Sequence, residues 1–274
     1  MCGIFGVIRK YSTYVSPNAN NSNEKMISLF TSLAISSTER GKDSSGLAIF
    51  PNQLSDNNDK VIVLKDSVPA DILITTDKFK KAINTINNCT CAIIGHARNA
   101  SSSSPRDNKN NHPHICENII GIHNGTISNW KELSKKHNLK MKSICDSEVI
   151  FLLINEFLNL QCTFIEAIQE TSKLLEGSFA CVAVNLKGKR EFAFFRRSAP
   201  LFIKHRAFGN IILLASNIEY INKAYRDAQY ETTHSKNYYE MNEYILPDNN
   251  GIILNPKDEN FTNWLQYIDS FTLS

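Results

Sequence analysis

At 274 residues the chain is long enough to bury a large core as one or two domains. Its 42% hydrophobic and 21% charged residues are those of a globular protein, and the net charge of +3 comes from scattered Lys and Arg, which excludes a clustered nucleic-acid footprint. No apolar run is long enough to span a bilayer and no signal-peptide pattern opens the chain, so the seven irregularly spaced cysteines read as reduced thiols of a cytoplasmic protein.

The first stretch, Met1-Cys2-Gly3-Ile4-Phe5-Gly6, has a strand-like apolar run behind a cysteine in second position. Removal of Met1 would leave Cys2 with a thiol and a free α-amine in one residue. That amine has an ordinary pKa of about 7.7–8.0 and can act as a base near neutral pH. The plain alternative is a small buried cysteine. Residues 11–22 are polar and loop-like, and Met26, Ile27, Phe30, Leu33 and Ala34 fall at helical spacing, predicting a helix over 24–38 that stops near Gly41. Arg40-Gly41-Lys42-Asp43-Ser44-Ser45-Gly46 reads as a turn into a strand at 47–50. A polar loop at 51–60, a strand at 61–65 and a helix over 77–87 follow.

The apolar run 91–95 ends in His96-Ala97-Arg98. An arginine closing a buried strand needs an anion, either a protein carboxylate or a ligand. Residues 101–111 form a Ser/Asn-rich loop. His112-Pro113-His114 and Cys116 offer metal-ligand chemistry but no complete set of known spacing, so no metal is expected and the histidines are read as pocket wall. A strand at 118–123 is predicted to deliver His123-Asn124-Gly125 to a turn; Asn-Gly is common turn chemistry, and it is also a pair of N–H donors of the oxyanion-hole kind. Ser128 is placed as the cap of a helix over 129–137, and Asp146 or Ser147 as the cap of an apolar helix reaching Leu160. Thr163-Phe164-Ile165-Glu166 is a capping box for a helix to about Leu175. Runs at 178–185, 191–197, 201–205 and 211–216 suggest an antiparallel meander, followed by a helix at 217–226, strands at 243–246 and 251–254, and a terminal helix over 260–271 anchored by Trp264 and Tyr267. Strands and helices in blocks argue for an α+β architecture: two packed antiparallel sheets with helices on both outer faces.

Taken together, Cys2-Gly3-Ile4-Phe5-Gly6, Arg40 to Gly46, Gly95-His96-Ala97-Arg98, His112-Pro113-His114, His123-Asn124-Gly125 and Asp146-Ser147-Glu148-Val149-Ile150 resemble the glutaminase domain of the class II (N-terminal cysteine) glutamine amidotransferases, most of all the glucosamine-6-phosphate synthase type. The resemblance implies the four-layer αββα sandwich of N-terminal-nucleophile hydrolases, over residues 2–255, with 256–274 as a C-terminal extension. It implies L-glutamine as substrate and no cofactor. It also implies Cys2 as nucleophile, Asn124 and Gly125 as oxyanion donors, and Arg98, Ser101 and Asp146 as the glutamine-binding groups. Arg40 and Asp43 are implied as organisers near the nucleophile, with His112 supporting the pocket.

The chain departs from the pattern at Asn99 and Lys42, where aromatic residues are usual, and in a slightly longer 99–111 loop. No sugar-isomerase half is present in these residues, so the expected arrangement is a glutaminase that hands ammonia to a synthase partner in trans; a homo-oligomer is left open. Two other readings stay beside it: a hydrolase of another γ-glutamyl compound, and a non-catalytic glutamine-binding module.

Overall fold

The computed structural model describes residues 1–10, 19–51, 60–101, 103–188, 190–206, 211–228, 242–256 and 269–273. One antiparallel sheet has seven strands in the order β11 (Asn242–Ile245), β9 (Phe202–Arg206), β10 (Ile211–Ala215), β1 (Gly3–Arg9), β4 (Thr90–Arg98), β2 (Ser44–Pro51) and β3 (Ile62–Asp66). The other has six, in the order β13 (Asp269–Thr272), β12 (Asn250–Leu254), β8 (Glu191–Arg197), β7 (Gly177–Asn185), β6 (Ile119–Ile127) and β5 (His114–Cys116).

Side-chain alternation decides how the layers stack. On β1, Ile4 and Ile8 enter the core between the sheets, whereas Phe5 and Val7 point into a second core under the helices. A strand covered on both faces needs apolar residues at nearly every position, which explains the unbroken run behind Cys2. The second core is closed by helices α1 (Ala19–Ser37), α2 (Ala70–Leu73), α3 (Asp77–Ile83) and α7 (Ile218–Asp227). In α1 the buried stripe is Met26, Leu29, Phe30, Leu33 and Ala34, spaced as one helical face. Helices α5 (Ser147–Asn159) and α6 (Phe164–Leu174), with α4 (Trp130–Lys136), cover the six-stranded sheet through a third core. The result is the four-layer αββα sandwich. The capping box of α6 forms as predicted, with Thr163 and Glu166 satisfying each other's backbone N–H groups.

Several expectations need correction. Residues 178–216 are not one meander. β7 and β8 form a hairpin in the six-stranded sheet, while β9 and β10 form one in the seven-stranded sheet. Both hairpins bury alternate residues in the same inter-sheet core (Phe192 and Phe194 from one, Ile203 and Ile212 from the other), so their patterns look alike whichever sheet they join. Asn124-Gly125 is not a turn either. β6 continues to Ile127, paired with β7 through Gly125↔Phe179 and Ile127↔Gly177. Ser128 does not cap α4; its hydroxyl donates to Glu176 O at 3.1 Å. α1 ends at Ser37, and Gly41 serves close approach instead: a Cβ there would stand 2.5 Å from Ala97 O and Arg98 C. The C-terminal stretch ends in a strand, with β13 pairing against β12, where a helix over 260–271 was predicted; residues 257–268, including Trp264 and Tyr267, lie outside the described residues, as do 11–18 and 52–59 of the predicted loops.

Candidate active site

The C-terminal end of β4, the segment ahead of β1, β6 and the start of α5 meet at one edge of the sandwich. A cavity of about 350 Å³ opens there, lined by Cys2, Arg40, Arg98, Ser101, His112, Asn124, Gly125 and Asp146 among others. Residues spread over 145 positions of sequence thus share one wall. Asp43 stands apart from it: its carboxylate accepts from Ala100 N at 2.7 Å, and its own N–H donates to Arg98 O at 3.0 Å. It braces the segment after β4 from behind.

Cys2 is half-buried, and the Asn99 N–H donates to its sulfur at 3.3 Å. Burial pushes the thiol pKa up; the Asn99 bond, the chain's amino terminus and Arg98 pull the other way. The Cys2 carbonyl is held twice, by Arg40 Nε at 2.8 Å and by Asn124 Nδ2 at 3.0 Å. Arg40 therefore keeps that oxygen satisfied even when the Asn124 amide turns elsewhere.

The orientation of Asn124 is set at both ends. Its Oδ1 lies 3.0 Å from His96 Nε2, which is also 3.0 Å from His123 O. A backbone carbonyl only accepts, so Nε2 carries the proton and the amide presents Oδ1 to it. At the other end Nδ2 donates to the Cys2 carbonyl and to Ser216 Oγ at 2.6 Å. Full burial drives His96 down to about 3, so it remains a neutral donor at physiological pH. Next to Asn124, Gly125 has φ +137°, and a Cβ there would lie 1.9 Å from Ser178 O in the paired strand. Only glycine fits that backbone.

Arg98 is 4% exposed, yet none of the ion pairs among the described residues involves it. Its Nη1 donates to Asn111 Oδ1 at 2.9 Å, and its Nη2 to the carbonyl and hydroxyl of Ser103. These neutral acceptors aim the guanidinium without cancelling its charge. Asp146 is the residue ahead of α5 but makes no capping bond. Its Oδ2 instead accepts from Ile127 N at 2.8 Å, which ties it to the end of β6. Cys145 and Asp146 sit side by side, with the Cys145 sulfur 3.7 Å from Asp146 Oδ1.

Sequence reasoning passed over His96, Ser103, Asn111 and Ser216. Ser103 and Asn111 sit in the Ser/Asn-rich 101–111 loop, whose composition singles out no residue. Ser216, which also accepts from Ile4 N at 2.9 Å, follows β10 by one residue and carries no local signal. His96 stood inside a quoted motif without a role.

The chain is similar to several known proteins. Residues 97–223 match a family described as "Glutamine amidotransferase domain". Glutamine–fructose-6-phosphate aminotransferase [isomerizing] of Sulfolobus acidocaldarius is 34% identical over 208 residues, covering 74% of this chain and 31% of that protein. The protein of the same name from Helicobacter pylori is 32% identical over 167 residues, 60% of this chain and 26% of its own length. This chain thus spans about a third or less of the curated relatives it matches. Among solved structures, glutamine phosphoribosylpyrophosphate amidotransferase from B. subtilis, complexed with ADP and GMP, superposes with a TM-score of 0.66 at 17% identity, over 100% of this chain and 49% of that one, which establishes a shared fold. The sandwich, the profile match and these relatives agree that the chain carries a glutamine amidotransferase domain of class II, the N-terminal-cysteine type.

Proposed function

We propose that this domain hydrolyses the side-chain amide of L-glutamine to glutamate and ammonia through a γ-glutamyl thioester on Cys2. The observation that carries the reading is Arg98, a buried cation whose partners among the described residues are neutral groups, on the wall that Cys2 and Asp146 also line. A buried cation without a counter-ion is costly, and an incoming carboxylate removes that cost. Arg98 then holds the α-carboxylate of glutamine with Ser101 nearby, Asp146 holds the α-ammonium, and the side-chain amide is left facing Cys2.

Once Met1 is removed, the α-amine of Cys2 takes the thiol proton, directly or through water. The thiolate attacks the amide carbon, and the oxyanion is met by Asn124 Nδ2 and the Gly125 N–H. Asn124 exchanges its Cys2 carbonyl contact for the oxyanion, while Arg40 retains that carbonyl. One such donor is worth about 3 kcal/mol of transition-state stabilisation. The C–N bond breaks as the amine returns the proton to the leaving ammonia. Water then cleaves the thioester, releasing glutamate and regenerating the thiol. Ammonia passes on to a synthase acceptor. The odd number and irregular spacing of the seven cysteines support a reducing, cytoplasmic setting.

The test uses one purified sample. Its intact mass reports whether Met1 is gone, and glutamate release from glutamine is measured beside Cys2→Ala. Release by the Met1-free chain that vanishes in Cys2→Ala is the expected result. A correctly processed chain that leaves glutamine untouched but turns over a γ-glutamyl peptide would replace the reading with the hydrolase alternative.

A further inference from the structure

Three soft side chains to which the proposed hydrolysis assigns no chemistry converge at the cavity wall. His112, His114 on β5 and Cys145 just before α5 bring two ring nitrogens and one sulfur within 4.8 Å of one another. All three are buried, at 3%, 2% and 4% exposure. Among the described residues neither ring nitrogen of His112 finds a hydrogen-bond partner, and nor does Nε2 of His114. Buried polar atoms are rarely left unpartnered, and three such nitrogens in one cluster suit a bound ligand. Cys116, the sulfur nearest in sequence, is not part of the group; Cys145 takes that place.

We propose that His112, His114 and Cys145 form a binding site for a borderline-soft divalent cation of the Zn²⁺ type. Two imidazoles and a thiolate are ligands that such an ion favours, and three protein ligands leave one position for water. His112 and Cys145 also line the cavity that holds Cys2, so that fourth position faces the cavity. Binding forms a metal–sulfur bond and releases the Cys145 thiol proton to solvent. The ion carries two positive charges and the thiolate removes one. Asp146, whose Oδ1 lies 3.7 Å from the Cys145 sulfur, offsets the remainder.

Cobalt(II) is the probe, titrated into the metal-stripped, reduced full chain. The expected result is one equivalent bound per chain, with thiolate-to-cobalt charge-transfer absorption and intense four-coordinate visible bands that added Zn²⁺ abolishes by displacement. Cys145→Ser should remove the charge-transfer band, and His114→Gln should weaken binding about tenfold or more. Cys2→Ser should leave the spectrum intact. Thermal melts confirm that each variant is folded, and Cys145→Ser, a near-isosteric change, keeps the test independent of packing loss. Absence of the band in folded protein overturns the proposal. So does a band that survives Cys145→Ser or disappears with Cys2→Ser, since the ion would then sit on another thiol. The readout does not depend on turnover, so it stands or falls separately from the glutaminase reading.

Discussion

Replacing His96 by Phe tests the part of the site that depends most on geometry. His96 Nε2 is the donor that holds Asn124 Oδ1, and it is shared with His123 O, both at 3.0 Å. Phenylalanine keeps an aromatic ring against His112, whose centroid is 3.9 Å away, but donates nothing. Two buried acceptors lose their partner, at about 1–3 kcal/mol each, so the fold should weaken measurably without being abolished. The functional effect is separate. With Oδ1 released, the Asn124 amide can turn over, and an oxygen then faces the developing oxyanion in place of an N–H. Loss of one such donor lowers kcat by about 10²–10³-fold. KM should change little, because glutamine is held by Arg98 and Asp146. The assay is steady-state glutamate release at a temperature where a melting curve shows the variant fully folded. His96→Gln, whose side-chain amide can donate again, should recover part of the rate. A folded His96→Phe with kcat within about threefold of the parent would show that His96 does not orient Asn124, or that Asn124 is not the oxyanion donor.

Arg98→Met removes the buried cation while its neutral partners remain. A charge-assisted hydrogen bond to a carboxylate is worth about 1.5–3 kcal/mol, so KM for glutamine should rise by roughly 10- to 150-fold, and an unchanged KM would refute the carboxylate role. Gly125→Ala and Gly188→Ala form a contrasting pair under urea unfolding. At Gly125 the Cβ meets Ser178 O at 1.9 Å, whereas at Gly188, also at positive φ, it meets nothing within 4 Å. The first should cost well over the ~1–2 kcal/mol of backbone strain that the second shows, and equal losses would disprove the steric argument. Burial holds Lys65 down at about 8 against an ordinary 10.5. A depressed folded pKa means the stabilising neutral form is fully present above 10.5 and is lost as pH falls through 8. Relative to Lys65→Met, the parent should therefore gain up to about 3 kcal/mol in unfolding free energy between pH 8 and 10.5, and a flat difference would show that Lys65 is solvated.

Much of this molecule is legible along the chain, because the signals are local. The spacing of Met26, Phe30, Leu33 and Ala34 specifies a helical face, and the Thr163–Glu166 box a helix start, whatever surrounds them. The short motifs around Cys2, Arg98, Asn124 and Asp146 stood out for the same reason: each packs its chemistry into a few consecutive residues. Tertiary structure alone decided which elements became neighbours. It assigned the two hairpins of 178–216 to different sheets, since a half-buried strand carries the same alternation against either partner. It kept Asn124-Gly125 inside β6, where pairing with β7 overrode turn chemistry that the dipeptide alone would favour. It also placed His96 and Ser216 on opposite ends of one amide, gave Arg98 neutral partners in Asn111 and Ser103, and set Cys145 beside His112 and His114. Such contacts join residues tens to hundreds of positions apart, and no local pattern encodes them, because their energy exists only after both sheets have closed on a common core.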